Sequence, residues 1–245
     1  MVCLSIDFGG THVRIANIVN SQLTDFINIP NVGPEDVFDK LKSYMARYSI
    51  IHRICVSSFG PIIIDAQSQD FGLIYSSPKV NWNNINLHLF FSDYTGDVRI
   101  NSDVNCSALF CHHKCNISNL VYLNLGTGVN AGVIINNRLI SDNSVLELGE
   151  LISSGFFTTY EKLLNGLAVK KQLVQDYHSL VLKIDELITL LDYIYKPQAI
   201  FLGGGLFENN IDIVDALLCM RSEVKKIIST EFIKSATTLL GASLL

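Results

Sequence analysis

Asp7 ends an apolar run, Cys3-Leu-Ser-Ile-Asp-Phe8, directly before Gly9-Gly10-Thr11. A carboxylate there can meet a magnesium ion, directly or through its waters, while the turn amides and the Thr11 hydroxyl face phosphate oxygens. The plainer alternative is an Asp that caps its own turn. The same device recurs where Val121-Tyr-Leu-Asn-Leu125 breaks at Gly126-Thr127-Gly128 and resumes as a second apolar strand. Two such hairpins, one on each of two related lobes facing across a cleft, can clamp one triphosphate. A third break, Gly203-Gly204-Gly205, follows apolar Ala199-Ile-Phe-Leu202 and would let a flat base lie on bare backbone. Glycine is read at these turns as the residue that reaches φ > 0 freely. Asn130, where a further glycine is expected, is read as tolerant of left-handed backbone.

Acids form the second group. Asp103 follows a strand and opens a helix, a place that exposes a carboxylate able to take a proton from an attacking hydroxyl. The alternative is that Asp103 or Ser102 simply N-caps that helix. Glu147, Glu150 and Glu161 lie in and after a polar loop, and a carboxylate can accept hydrogen bonds from two neighbouring hydroxyls at once. The alternative is a solvated acidic turn followed by a helix with Glu in its first turn. Neither G-x-G-x-x-G nor G-x-x-x-x-G-K-[ST] occurs, so dinucleotide-fold and P-loop readings are set aside. Cys111-His-His-Lys-Cys115 has metal-like spacing but no second ligand pair, and reads as an exposed helix end.

The elements that must position these residues alternate between strand and helix signals, which predicts an α/β chain. Strands are expected at 2–8, 12–19, 22–29, 53–57, 98–100, across a hairpin at 119–140, and at 198–202. Helices are expected at 35–48, 86–93, 104–113, 159–176, 180–195, 211–228 and 235–245, with 62–95 otherwise irregular. The expected lobes are 1–115, with the first hairpin, and 116–245, with the second hairpin and the glycine run, the final helix packing back on the first lobe.

Composition narrows the partners. The chain has 245 residues, 49% of them hydrophobic, with 18 basic against 23 acidic side chains for a net charge of −5. That balance offers no basic patch for nucleic acid. No apolar run approaches the ~20 residues of a membrane span. With no charged leader segment before the first strand, a cytoplasmic chain with six free thiols is expected.

The ordered set Asp-Phe-Gly-Gly-Thr-His-Val-Arg (7–14), Phe-Gly-Pro (59–61), Asn-Ser-Asp-Val-Asn (101–105), Leu-Gly-Thr-Gly-Val-Asn-Ala-Gly (125–132), Glu-Leu-Gly (147–149), Leu-Gly-Gly-Gly (202–205) and Leu-Leu-Gly-Ala-Ser (239–243) resembles the ROK sugar kinases. The resemblance implies the two-lobed, actin-like (ribonuclease H-like) ATPase fold and ATP- and Mg²⁺-dependent phosphorylation of a hexose or amino-sugar hydroxyl. It implies Asp103 as catalytic base, with Glu147 and Glu161 as sugar-binding acids and Trp82 in the loop covering the sugar. It also implies 9–11 and 126–128 as phosphate loops, 203–205 as the adenosine motif, and a homodimer.

Departures from the pattern are equally specific. Ser102 replaces the usual Asn before the base, and Glu150 replaces the His of Glu-x-Gly-His. No cysteine lies between Glu147 and Glu161, so no structural zinc site is expected. The segment from Glu161 to the glycine run is short, and the chain starts on the first phosphate strand, which disfavours a repressor. A non-catalytic sugar or nucleotide sensor built on a decayed kinase is the alternative to a kinase.

Overall fold

A computed structural model of the chain describes residues 2–140, 147–221, 227–229 and 237–245. They fall into two units, 2–110 with 237–245, and 111–140 with 147–221 and 227–229.

In the first unit, β1 (Cys3–Phe8), β2 (His12–Val19) and β3 (Gln22–Pro30) form an antiparallel meander. A helix, α1 (Pro34–Met45), returns the chain to β4 (Arg53–Ser58). Proline in its first turn, Glu35 and Asp36 there, and buried Val37, Leu41, Tyr44 and Met45 explain why it forms where it does. Next come β5 (Leu73–Ile74), a 3-10 turn (Val80–Trp82), β6 (Ile85–Asn86), α2 (Leu87–Ser92), β7 (Val98–Ser102) and α3 (Asp103–Cys115). The sheet order is β3-β2-β1-β4-β7, with β1, β4 and β7 parallel.

The second unit repeats that topology. Its first elements are β8 (Leu120–Leu125), β9 (Val129–Ile135) and β10 (Arg138–Leu139), again an antiparallel meander. After a 3-10 turn (Leu148–Glu150) come α4 (Tyr160–Leu164), α5 (Gly166–Gln175), α6 (Tyr177–Tyr195), β11 (Ala199–Gly203), α7 (Gly205–Asn209), α8 (Ile211–Met220) and β12 (Ile227–Ser229). The order β10-β9-β8-β11-β12, with β8, β11 and β12 parallel, matches the first sheet strand for strand. Last, α9 (Thr237–Ala242) packs in the first unit on β1 and β4, where Ser5 Oγ donates to Leu239 O (2.6 Å).

Three expectations need correction. The helix expected at 159–176 breaks at Asn165, whose backbone is extended and whose side chain caps α5 by accepting from Leu167 N and Ala168 N. The helix expected to run to 228 ends at Met220, and Ile227–Ser229 extend the sheet beside β11. The irregular stretch 62–95 holds the β5–β6 pair and the 3-10 turn. Cys111–Cys115 closes α3, where His112 Nδ1 lies 2.8 Å from Ile117 O and Cys111 is buried. All six cysteines are free.

Candidate active site

In the first unit, the parallel strands end level. Asp7, Ser57 and Asn101 stand side by side across β1, β4 and β7, and Phe8, Ser58 and Ser102 form the next row. The carboxyl ends of parallel strands are where open α/β sheets hold ligands. Asp7 is 2% exposed and takes hydrogen bonds from Arg14 (3.1 Å), Ser57 Oγ (3.0 Å) and the Thr238 hydroxyl of α9. Burial pushes its carboxyl above the usual range, and the Arg14 charge with the hydrogen bonds from Thr238, Ser57 and Arg14 only partly offsets that. Arg14 is the cross-strand neighbour of Asp7 in the β1–β2 hairpin. One Asp7 oxygen accepts from Arg14 and the other from Ser57, and these two bonds leave each oxygen one further lone pair.

The Gly9-Gly10-Thr11 turn is shaped by space rather than by φ. A Cβ on Gly9 would stand 2.9 Å from His12 O, the oxygen that accepts its own N–H. Among the described glycines Gly72 and Gly204 are the ones whose φ falls in the left-handed region, which corrects the expectation for 9–10 and 126–128. Thr11 is exposed, its hydroxyl 3.1 Å from His12 Nδ1.

Asp103 opens α3 and is partly exposed, with its Oδ1 accepting from Val104 N (2.8 Å). Ser102 is 1% exposed and its Oγ accepts from Asn105 N (3.3 Å). The capping alternative therefore fits Ser102. Asn101 Oδ1 accepts from Ser102 N and Asn105 Nδ2, both at 2.8 Å, and locks this corner. Trp82 is 1% exposed, with ring edges of Phe8, Phe38 and Phe59 around it and its indole N–H donating to Asn31, so it packs into the first unit's core.

In the second unit, motifs far apart in sequence meet. Gly126 N donates to Gly128 O (3.0 Å) across the turn. A Cβ on Gly126 would lie 3.9 Å from Gly205 N, and one on Gly204 would lie 2.4 Å from Leu125 O. Gly204 has φ of 94°, so glycine is needed there on both counts. A Cβ on Gly203 would fall 2.0 Å from Tyr122 Oη. Gly203 and Gly204 thus lie against β8 with no room for side chains, whereas a Cβ on Gly205 would meet only Asn209 Nδ2 at 3.7 Å. Thr127 carries the turn between Gly126 and Gly128, and Gly166 closes in behind, its Cβ position 3.0 Å from Gly126 O.

Glu161 joins this site to the acidic loop. Its Oε2 accepts from Val129 N (2.8 Å), and its carboxylate lies against the Cβ positions of Gly128 (3.4 Å) and Gly149 (2.8 Å). Burial raises the pKa of Glu161, opposed by the Val129 N–H and reinforced by Glu150. Glu147 is exposed at the surface, yet partial desolvation raises its pKa, followed by repulsion from Glu150 and Glu161. All three acids are within electrostatic reach of one another. Asn130 is an ordinary strand residue of β9, not left-handed.

Sequence reasoning missed Glu186 of α6. Its carboxylate accepts from Ser153 Oγ (2.9 Å to each oxygen), Ser154 Oγ (3.2 Å), Gly155 N (3.3 Å) and the Tyr160 hydroxyl. It ties down the loop between the 3-10 turn bearing Glu150 and the helix bearing Glu161. Nothing in a helical pattern marks such a Glu, since its partners lie some thirty positions upstream. Among the described residues no group of three or more His, Cys, Asp or Glu could hold a metal ion, and no helix is long and apolar enough to cross a membrane.

Comparison with known proteins gives a consistent result. The sequence model of the ROK family matches residues 3–152. A fructokinase of Streptococcus mutans is 28% identical over 231 residues, covering 82% of this chain and 79% of that protein. A fructokinase of Lactococcus lactis subsp. cremoris is 29% identical over 234 residues, covering 83% and 79%. Among solved structures, a ROK family protein from Streptococcus pneumoniae in complex with sucrose superposes with a TM-score of 0.79 at 18% identity, covering 100% of this chain and 97% of that one. A ROK family glucokinase from Streptomyces griseus in complex with glucose and AMPPNP gives 0.73 at 14% identity, covering 99% and 98%. At those identities the structures show the fold alone: the two-lobed, actin-like ATPase fold.

Proposed function

The chain belongs to the ROK family, and from that premise and its kinship with fructokinases we propose an ATP-dependent kinase acting on a hexose hydroxyl, with fructose the first candidate. The observation that carries the reading is the first unit's level row of strand ends, where buried Asp7 adjoins the glycine turn and Asp103 opens the helix after β7. In this reading ATP arrives with its magnesium ion. Turn amides at 9–11 and 126–128 hold phosphate oxygens, and the run 203–205 receives the adenosine.

Asp103 accepts the proton of the sugar hydroxyl as its oxygen bonds the γ-phosphorus. The bond from that phosphorus to the β-phosphate bridging oxygen breaks, and ADP leaves. Glu147, Glu150 and Glu161 orient the sugar through its hydroxyls, which donate to carboxylates. Exclusion of water then favours transfer over ATP hydrolysis.

A coupled ADP-release assay across fructose, other hexoses and N-acetylhexosamines tests this. Asp103→Asn is expected to lower kcat by about 10²–10⁴-fold while ATP still binds. Normal turnover in that variant would sink the assignment. The competing reading, a sensor that binds without turnover, draws on Ser102 and Glu150. Calorimetric sugar binding with no ADP release from any sugar would establish it instead.

A further inference from the structure

Asn31 follows β3 and makes three hydrogen bonds to separate parts of the first unit. Its backbone N–H donates to Thr11 O (2.9 Å). Its side-chain N–H donates to Gly9 O (2.8 Å), and its side-chain carbonyl accepts from Trp82 Nε1 (2.9 Å). The amide has only one possible orientation here, because an indole N–H can only donate and a peptide carbonyl can only accept. Both ends of one short side chain are spent, one on the glycine turn and one on the 3-10 turn.

Neither partner can move alone. Gly9 is held by its N–H on His12 O (2.9 Å), so the 9–11 turn shifts as a unit. Trp82 is 1% exposed and meets Phe8, Phe38 and Phe59 edge-on at centroid distances of 5.4, 5.8 and 5.9 Å. Close-packed rings transmit a displacement instead of absorbing it. Val80, two residues earlier, is 76% exposed, so the far end of the 3-10 turn is free to respond. Asn31, Lys79, Val80 and Trp82 also help to line a recess of about 180 Å³, whose wall changes if the amide shifts.

We propose that Asn31 is a positioning residue that couples the 9–11 turn to the Val80–Trp82 segment, so that nucleotide bound at the turn is registered at Trp82. The inference rests on the reading of 9–11 as a phosphate loop. The chain has a single tryptophan, so intrinsic emission reports on this one position.

The experiment titrates MgADP into the full chain, following heat and tryptophan emission in parallel. Emission is expected to change with the same midpoint as the heat. Asn31→Leu, close in size, is expected to bind MgADP within roughly tenfold of the parent, the cost of one or two hydrogen bonds, yet to lose the emission response. Asn31→Asp retains an acceptor for the indole but loses the donor to Gly9, and should lose the response as well. It serves as the test if the Leu variant does not fold. Binding heat without an emission change in the parent chain, or a response that survives in either folded variant, overturns the coupling. Absence of any binding heat in the parent removes the nucleotide reading itself, and the coupling with it.

Discussion

Asp7 in the first unit and the Glu147, Glu150 and Glu161 group in the second are both acidic, and desolvation raises the pKa of Asp7, Glu147 and Glu161. They differ in what offsets the charge. Around Asp7 the protein supplies a guanidinium and hydroxyls on fixed strands and a helix. In the glutamate group Glu150 pushes Glu147 and Glu161 upward and Glu161 adds to the push on Glu147, Val129 N–H relieves Glu161, and among the described residues none pairs with a cation. A charge compensated from within is part of the scaffold. A group left wanting donors is suited to recognising a ligand rich in hydroxyls, which is the role proposed for these glutamates.

The largest effect that would break this contrast comes from Arg14. Arg14→Met leaves Asp7 buried without its cation and is expected to cost about 3–5 kcal/mol in urea unfolding. Asp7→Asn should cost less, because the Arg14 side chain is 27% exposed and can turn to water. Equal losses would remove the claim that Asp7 is the costly partner.

Glu186 gives an intermediate effect. Burial alone would raise its pKa, but Ser153, Gly155, Tyr160 and Ser154 together hold it below the usual carboxylate range. Glu186→Ala should cost about 1–3 kcal/mol and speed amide exchange at Gly155 and Phe156. A group with a depressed folded pKa stabilises above its unfolded value and loses that contribution as pH falls through the folded one. The gap between parent and Glu186→Gln should therefore persist at neutral pH and close only in acid.

Glu147 gives the smallest effect, and of opposite sign. Its raised pKa means that stability is fully present below the unfolded value and lost as pH rises through the folded one. Glu147→Gln should melt slightly higher than the parent at neutral pH and alike in acid, while its KM for sugar rises. A lower Tm at neutral pH would show that the group is compensated after all.

Much of the frame was legible because buried strands leave continuous apolar runs and glycine breaks mark their ends. The 3–8, 53–58 and 120–125 strands fall close to where those signals put them. The break at Asn165–Gly166 was masked by apolar helical spacing on either side of it, although an Asn-Gly pair itself disfavours a helix interior. What ends the helix is the Asn165 cap and the nearness of Gly166 to the second hairpin. Asn31 gave no signal at all, since it reads as a turn residue before Gly33-Pro34.

Types and order were set by the chain itself: which segments are apolar enough to be buried strands, where glycine leaves room for a ligand, and which acids stand at strand ends. Pairing was decided by the fold. Arg14 meets Asp7 through hairpin register, Glu161 caps Val129 across 32 positions, and Ser102 turns inward to cap α3. A hydrogen bond depends on ångströms and angles, and those exist only once sheets and helices have packed, so no spacing along the chain could have specified them.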